Sequence, residues 1–471
     1  MKKGGLQFHM KTHKILTILA LLLTSSSIFP QTFDKNIVGY FVSWGIYARD
    51  FHVQDIPVEQ INVINYAFAN ISDGEIVLGD HYADVDIYYP GDCWDPGCER
   101  GSFNQLRILK ENNPHLKTMI SVGGWTWSYY FSQVAATEES REVFASSCVV
   151  FIEEHGFDGV DIDWEYPVSG GLPGNIYSEN DRENYTLLLA ELREQLDAAG
   201  DYLLTIAAPA SPFIIENLEV ELIHQYLDWI NIMTYDFHGP WGGEADIFTN
   251  FHSPLHASEQ NPLDEPFHSQ FNLSAAVETY LYLGVPPDKL QPGIPFYGRG
   301  YANVENENNG LYSSWSGLPQ GTWENGVTDY WDLALNYVNI NGFIQFWHDE
   351  AMVPWVYNPN SQIMYSFENE SSIEQKCNFI NDIELGGAMF WEFSGDKFNQ
   401  LLPTIFNELA FEVEGCDFPG DVNHDNIIDV LDVVATVNCI LQDSCNECSD
   451  VNLDGTTDVL DIVTLVNIIL Q

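Results

Sequence analysis

Positive charge is what this 471-residue chain has least of: 17 Lys and Arg stand against 69 Asp and Glu, for a formal net charge of −52. Phosphate backbones are held by basic surfaces, so this composition excludes nucleic acid as a partner. It equally excludes docking on anionic lipid. A neutral or weakly cationic ligand fits better. Most of the surplus acids read as a solvated surface suited to salty surroundings, and a minority as candidate calcium ligands. Long apolar runs are missing as well. The N-terminal run Ile15–Leu23 is too short to span a bilayer. It follows Lys11, His13 and Lys14 and precedes Thr24–Ser27, the shape of an export signal. We expect a signal segment over residues 1–31, cleaved near Gln31, with Met10 as an alternative start. The mature protein is then soluble and extracellular, with no membrane partner.

Cysteine is sparse but even in number, at 8, which in an exported chain makes disulfides plausible. Cys93 and Cys98 share a Gly/Pro/Asp-rich loop and are candidates for a local bridge. Cys416, Cys439, Cys445 and Cys448 crowd the C-terminus, enough for two bridges, while Cys148 and Cys377 sit in helix-like segments as buried thiols. Apolar residues are plentiful at 45%, so a substantial core can form. The 13 Trp and 23 Tyr suit either that core or a carbohydrate-lining groove.

Between residues 35 and 410, short apolar runs alternate with amphipathic stretches such as Glu138–Glu154 and Glu183–Ala199. The runs are Ile37–Trp44, Ile61–Ala69, Leu116–Val122, Gly159–Trp164, Leu203–Ala208, Trp229–Thr234, Leu290–Pro295 and Ala388–Trp391. They lack clean alternation, as strands buried on both faces do. Eight such units predict an α/β fold, a (β/α)8 TIM barrel. The long gap between the seventh and eighth runs predicts a small α+β insertion over about 301–380. A linker over 411–419 leads to a small C-terminal helical domain over 420–471, in which Asp421–Asp432 recurs as Asp450–Asp461 at an offset of 29 (450 − 421). Helices are expected over Val433–Leu441 and Ile462–Leu470.

The chemistry concentrates in Phe157-Asp-Gly-Val-Asp-Ile-Asp-Trp-Glu-Tyr-Pro167. Residues two apart on a strand share a face, so Asp161, Asp163 and Glu165 point one way and Val160, Ile162 and Trp164 the other. Asp158 has the opposite parity and reads as structural. Pro167 ends the strand and leaves Glu165 at its C-terminal tip, where barrel enzymes place catalytic groups. Stacked carboxylates cannot all ionise cheaply, so at least one is expected to hold its proton near neutrality and serve as a general acid.

This DGVDIDWE string resembles the DxxDxDxE signature of glycoside hydrolase family 18, the chitinases. Ser121-Val-Gly-Gly-Trp125, Met233-Thr-Tyr-Asp236 followed by Gly239-Pro-Trp241, Tyr297-Gly-Arg299, Gly387–Glu392 and the opening Gly39–Tyr47 resemble further motifs of that family, over residues 36–408. The resemblance implies a secreted chitinase that cleaves β-1,4-N-acetylglucosamine links with retention, the substrate's own acetamido group acting as nucleophile. It implies Glu165 as acid and then base, Asp163 orienting the acetamido N–H, Asp161 sharing a proton or charge with Asp163, and Tyr235 holding the acetamido carbonyl. Trp391 is implied as the floor of the sugar site. Tyr40, Phe68, Gly124, Trp125, Tyr166, Met233, Asp236, Trp241 and Arg299 complete the groove candidates. Ser121, Gly123 and Gly124 read as residues of backbone shape. The alternatives are an endo-β-N-acetylglucosaminidase acting on glycans and a chitin-binding lectin without catalysis. No catalytic cofactor is implied.

The C-terminal duplication places acids or Asn as a calcium loop does. The ligand sets are Asp421, Asn423, Asp425 and Asp432, and Asp450, Asn452, Asp454 and Asp461, with Asp429 and Asp458 acting through water and Ile427 and Thr456 giving backbone carbonyls. Asn426 stands where Gly is usual, a mild departure because Asn tolerates left-handed geometry. With Asp at position 12, the pair resembles a dockerin type I domain. That resemblance implies bound Ca2+ and a cohesin-type scaffold protein as partner.

Overall fold

In the computed structural model, which describes residues 33–95, 97–410, 420–423, 428–442, 445–452 and 456–469, the eight apolar runs are eight strands of one closed sheet. They are β1 (Asn36–Val42), β2 (Val63–Ser72), β3 (Lys117–Gly123), β4 (Gly159–Asp163), β5 (Leu203–Ala208), β6 (Trp229–Ile232), β7 (Leu290–Pro295) and β8 (Gly387–Trp391). Each pairs in parallel with its sequence neighbour. The seam closes where β8 meets β1, Asn36 opposite Gly387 and Gly39 opposite Phe390. This is the (β/α)8 barrel. The outward residues Val160, Ile162 and Trp164 are buried in the same core as Leu188 and Leu192 of the helix Asp181–Ala199, which is why the outward face of β4 is apolar.

Three strands end two or more residues from expectation at their C-terminal ends, β6 among them, which stops at Ile232, short of Thr234. β1 stops at Val42 because Ser43–Ile46 turns as a 3-10 helix. β2 runs on to Ser72 because it pairs antiparallel with Glu75–Val77. The helix Glu138–His155 forms where its capping allows: Thr137 Oγ1 accepts from the Ser140 N–H at 3.1 Å, and Gly156 closes it in left-handed geometry. Asp158 is structural, paired with Lys110 at 2.9 Å.

After β7 the chain builds a five-stranded antiparallel sheet ordered Val327–Asp329, Tyr297–Ala302, Ile363–Ser366, Val353–Asn358, Ile344–His348, with the helix Tyr330–Asn336. It starts at Tyr297, nearer β7 than expected, because Tyr297–Ala302 is an inner strand bonded on both sides. Arg299 therefore stands on a strand of this insertion. Tyr301, Val353, Trp355, Tyr357 and Met364 form its own apolar core. The helix Glu370–Asp382 follows and returns the chain to β8.

The described residues divide into two compact units, with the division between Ala410 and Phe411. In the second unit the helices Val430–Gln442 and Val459–Ile469 pack together. Each starts three residues before its expected position (433 − 430 and 462 − 459). The cause is capping. Asp429 accepts from the Leu431 N–H at 2.7 Å, and Asp432 reaches back to the Asp429 N–H at 2.8 Å. Asp458 and Asp461 repeat both bonds with Leu460 and each other, at 2.7 and 2.8 Å.

Disulfides join Cys93 to Cys98 and Cys439 to Cys445, and Cys148 and Cys377 are buried free thiols. Among the described residues no helix is long and apolar enough to cross a membrane. The signal segment 1–31, the linker 411–419, Cys416, Asp425, Asn426, Ile427 and Asp454 lie outside the described residues.

Candidate active site

β4 aims Asp161 and Asp163 into the barrel, and Glu165 follows just beyond the strand's end. Asp161 is fully buried yet saturated with donors. Its Oδ2 accepts from the Tyr40 hydroxyl at 2.8 Å and the Ser121 hydroxyl at 2.7 Å. Its Oδ1 accepts from the Thr205 hydroxyl at 2.6 Å and the Asn231 amide at 3.3 Å. The sheet register explains the set, since Ser121 and Thr205 flank Asp161 directly on β3 and β5. Ser121 is thus a hydrogen-bond donor as well as a residue of backbone shape. Thr205 and Asn231 escape sequence reasoning, although their inward parity was a usable signal.

Asp163 contrasts with Asp161. It is 4% exposed, and its Oδ1 has no hydrogen-bond partner. Burial and the neighbouring charges of Glu165 and Asp161 push its carboxyl well above the usual range. Burial likewise raises Glu165 to about 7, a value suited to proton donation near neutrality. At Asp161 the four donors work against the burial that raises its pKa.

The turn after β3 fixes the Glu165 backbone. The Glu165 N–H donates to Ser128 Oγ at 2.8 Å, and that hydroxyl lies 2.9 Å from the Gly124 carbonyl and 3.1 Å from the Asp163 carbonyl. Ser128 is a positioning residue that no motif marks. Gly124 has a positive φ of 74°, and a Cβ there would stand 2.6 Å from the Phe68 ring. The glycine lets the turn and the ring share one space.

Tyr40, which reaches Asp161 through its hydroxyl, also belongs to an aromatic cluster. Trp391 at the end of β8 packs on Phe68 with centroids 5.8 Å apart and on Tyr40 at 5.4 Å. Met233 and Tyr235 pack against the same cluster. Tyr235 is set close to β7 by Gly293, where a Cβ would stand 2.7 Å from its ring. Tyr166, half-buried, follows Glu165 directly, and its hydroxyl is pushed up by burial and by the Glu165 and Asp163 charges.

Asp236 joins Arg299 in a two-point ion pair, Nε to Oδ1 at 2.8 Å and a second, shorter contact to Oδ2. The guanidinium holds the Asp236 carboxyl below the usual range against the opposing pull of burial. It also lies 4.9 Å from the centre of the Trp241 ring. Trp241 and Trp125 are 54% and 48% exposed, which excludes a core role for both. Arg49 and Trp44 were not among the expected site residues. Arg49 lies 3.4 Å from Asp329 and 3.6 Å from Glu392, and the Trp44 ring is 6.4 Å from Trp391.

The calcium-loop residues lie in the second unit. Asp421, Asp432 and Asp461 are buried there, and no Lys or Arg follows Lys397 in the chain. Asp432 Oδ1 also accepts from the N–H groups of Val422 at 2.8 Å and Asn423 at 3.1 Å, which ties these two residues to the first turn of the helix Val430–Gln442. Buried carboxylates in a stretch that has no Lys or Arg form a donor set that fits a hard divalent cation.

Comparison with known proteins bears on both units. The family model "Glycosyl hydrolases family 18" matches residues 36–396. The chain belongs to glycosyl hydrolase family 18. A second model, "Dockerin type I domain", matches residues 419–470. Chitinase A1 of Niallia circulans is 43% identical over 433 residues, covering 82% of this chain and 61% of that protein. Chitinase 1 of Aphanocladium album is 37% identical, covering 76% of this chain and 81% of that one. Among solved structures, Chitinase ChiA74 from Bacillus thuringiensis superposes with a TM-score of 0.75 at 40% identity, covering 80% of this chain and 70% of that one. The family 18 match includes the carboxylate strand, the aromatic cluster, and the insertion that carries Arg299.

Proposed function

We propose that this protein is an exported chitinase that hydrolyses the β-1,4 links of chitin and chitooligosaccharides with retention, by substrate assistance. The observation that carries the reading is the ladder of three buried carboxylates, charge-stabilised at Asp161 and proton-retaining at Asp163 and Glu165, beside an aromatic cluster. Protonated Glu165 gives its proton to the glycosidic oxygen as the C1–O bond breaks. The acetamido oxygen forms the new bond to C1 and yields an oxazolinium ion. Asp163, through its unpartnered Oδ1, accepts the acetamido N–H, and the negative charge it shares with Asp161 stabilises the cation. Tyr235 donates to the acetamido carbonyl and holds it for attack. The Glu165 carboxylate then takes a proton from water as that water attacks C1; the bond from C1 to the acetamido oxygen breaks, the acetamide re-forms, and the β-anomer is restored. Trp391, Phe68 and Tyr40 floor the sugar. Gly124 leaves room at the turn beside them, and Trp125, Tyr166, Met233, Asp236, Trp241 and Arg299 line the groove.

In the second unit, Asp421, Asn423, Asp425 and Asp432 would hold one Ca2+, and Asp450, Asn452, Asp454 and Asp461 another, with Asp429 and Asp458 behind a water. A bound ion supplies the charge that lets these acids stay buried and ionised. The dockerin type I match supports a cohesin-type scaffold as partner. The relatives named as chitinases support the substrate. The test is hydrolysis of N-acetylglucosamine oligomers by wild type and Glu165→Gln with product anomers read by NMR. β-Anomer from the wild type and loss of turnover in the variant are expected. A wild type that binds the oligomers without cleaving them would instead fit a lectin.

A further inference from the structure

Lys376 on the helix Glu370–Asp382 is fully buried, and so is its partner Glu368. All three ammonium protons are used: Nζ lies 2.6 Å from Glu368 Oε1, 2.8 Å from the Ser253 carbonyl and 2.7 Å from Ser253 Oγ. Glu368 Oε2 is closed off in turn by the Ser372 hydroxyl at 2.7 Å. Burying such a pair costs desolvation that a well-packed apolar pair would avoid, so its stabilising effect alone is a weak reason for it to be there.

What Ser253 touches gives a better reason. Its hydroxyl donates to the Thr234 carbonyl at 2.8 Å. One residue earlier, the His252 carbonyl accepts from the Phe237 N–H at 3.0 Å. These two bonds bracket Tyr235 and Asp236 from either side. Between them Asp236 has a φ of 57°, left-handed geometry that Asp tolerates better than most residues and that its surroundings must still support. The His252 ring, buried itself, lies with Nδ1 3.6 Å from Asp236 Oδ1. The bracket has one further tie, from the His252 N–H to the Ser366 hydroxyl at 3.1 Å.

We infer that Lys376 is a positioning residue for the reaction. With Glu368 behind it, it fixes Ser253, and Ser253 with His252 fixes the Tyr235–Asp236 turn that holds the acetamido group. The inference rests on the chitinase reading and adds an anchor to it. Lys376 touches no substrate, so its removal should misplace Tyr235 and lower turnover more than binding. Misplacement of about 1 Å is enough for a loss on the order of 10²-fold.

The test compares kcat, KM and thermal midpoint on a chitooligosaccharide for the full chain, Lys376→Met, Ser253→Ala and both together. Ser253→Ala cuts the link to Thr234 while leaving Lys376 paired with Glu368, so it covers the case in which Lys376→Met does not fold. Lys289→Met is the structural control. Lys289 bonds the carbonyls of His224 and Leu227 at 3.0 and 2.6 Å, just before β7 begins, at the opposite end of the barrel from the strand tips. We expect kcat per folded molecule to fall at least ~10-fold in Lys376→Met and in Ser253→Ala, with KM within about twofold. The double variant should be no worse than the poorer single one, because both act through one contact. Lys289→Met should lower the midpoint and leave kcat alone. Active wild type beside Lys376 and Ser253 variants that lose only thermal stability, as the control does, would overturn the inference and leave the chitinase reading standing. Wild type without turnover overturns both.

Discussion

The Tyr40 hydroxyl crosses from β1 to donate to Asp161 Oδ2 at 2.8 Å. It is one of four donors that hold this buried carboxylate, and it comes from a ring that also packs on Trp391. The same side chain therefore serves both the buried carboxylate and the aromatic cluster. Tyr40→Phe keeps the ring and removes the donor. It should lower stability by roughly 2 kcal/mol, the usual worth of a hydrogen bond to a charged group. Turnover should fall while the affinity for oligomers holds. Urea unfolding and steady-state kinetics on the variant check both parts.

Removing the acid is the sharpest change. Glu165→Gln should reduce turnover on the order of 10²–10⁴-fold, the range general acid–base groups supply, with oligomer binding retained. Calorimetry and oligomer hydrolysis on one preparation separate the two effects.

The raised value of about 7 at Glu165 sets a pH dependence for activity. In the proposed reaction the acid works protonated, so kcat/KM should hold below pH 7 and decline as pH rises through about 7. Glu165→Asp, with a shorter reach to the same site, should show a much lower plateau. A wild-type profile that keeps rising beyond pH 8 would point to another acid.

The same shift predicts a stability trend of definite sign. Because the folded-state pKa of Glu165 lies above its ordinary 4.5, the folded state binds the proton more tightly than the unfolded one. Its protonation therefore supports folding fully below about 4.5, and that support is lost as pH rises towards 7. Glu165→Gln removes this dependence. The variant should match wild type at pH 4 and exceed it at pH 8 by up to about 3 kcal/mol. Thermal midpoints at the two values read the difference.

Chelation should separate the units. If the C-terminal loops hold Ca2+, EDTA should unfold that unit, with its midpoint restored by added calcium, while hydrolysis of soluble oligomers stays unchanged. Calorimetry with and without chelator, beside an activity assay, gives both readings.

The barrel was legible because each of its strands is buried on both faces and therefore forms a compact apolar run. The acid motif was legible because alternate acids on one such strand can point only inward. The donors around Asp161 were not, since Thr205 and Asn231 lie on other strands and become neighbours only through the register. Ser128 was hidden for a similar reason, its partners being two carbonyls and an N–H with no signature in side-chain type. The insertion began earlier than its composition suggested because Tyr297–Ala302, next to β7, leaves the barrel at once to pair with Ile363–Ser366 and Val327–Asp329. The C-terminal helices began earlier because Asp429 and Asp458 are both loop residues and caps.

The seam of the barrel has a consequence for synthesis. Tyr40, Phe68 and Trp391 come from β1, β2 and β8, the three strands that meet where the sheet closes. Two of the three are made almost at the start of the barrel and the third almost at its end. A nascent chain thus carries its acids long before the aromatic cluster beside them is complete, and that cluster waits until the final strand leaves the ribosome.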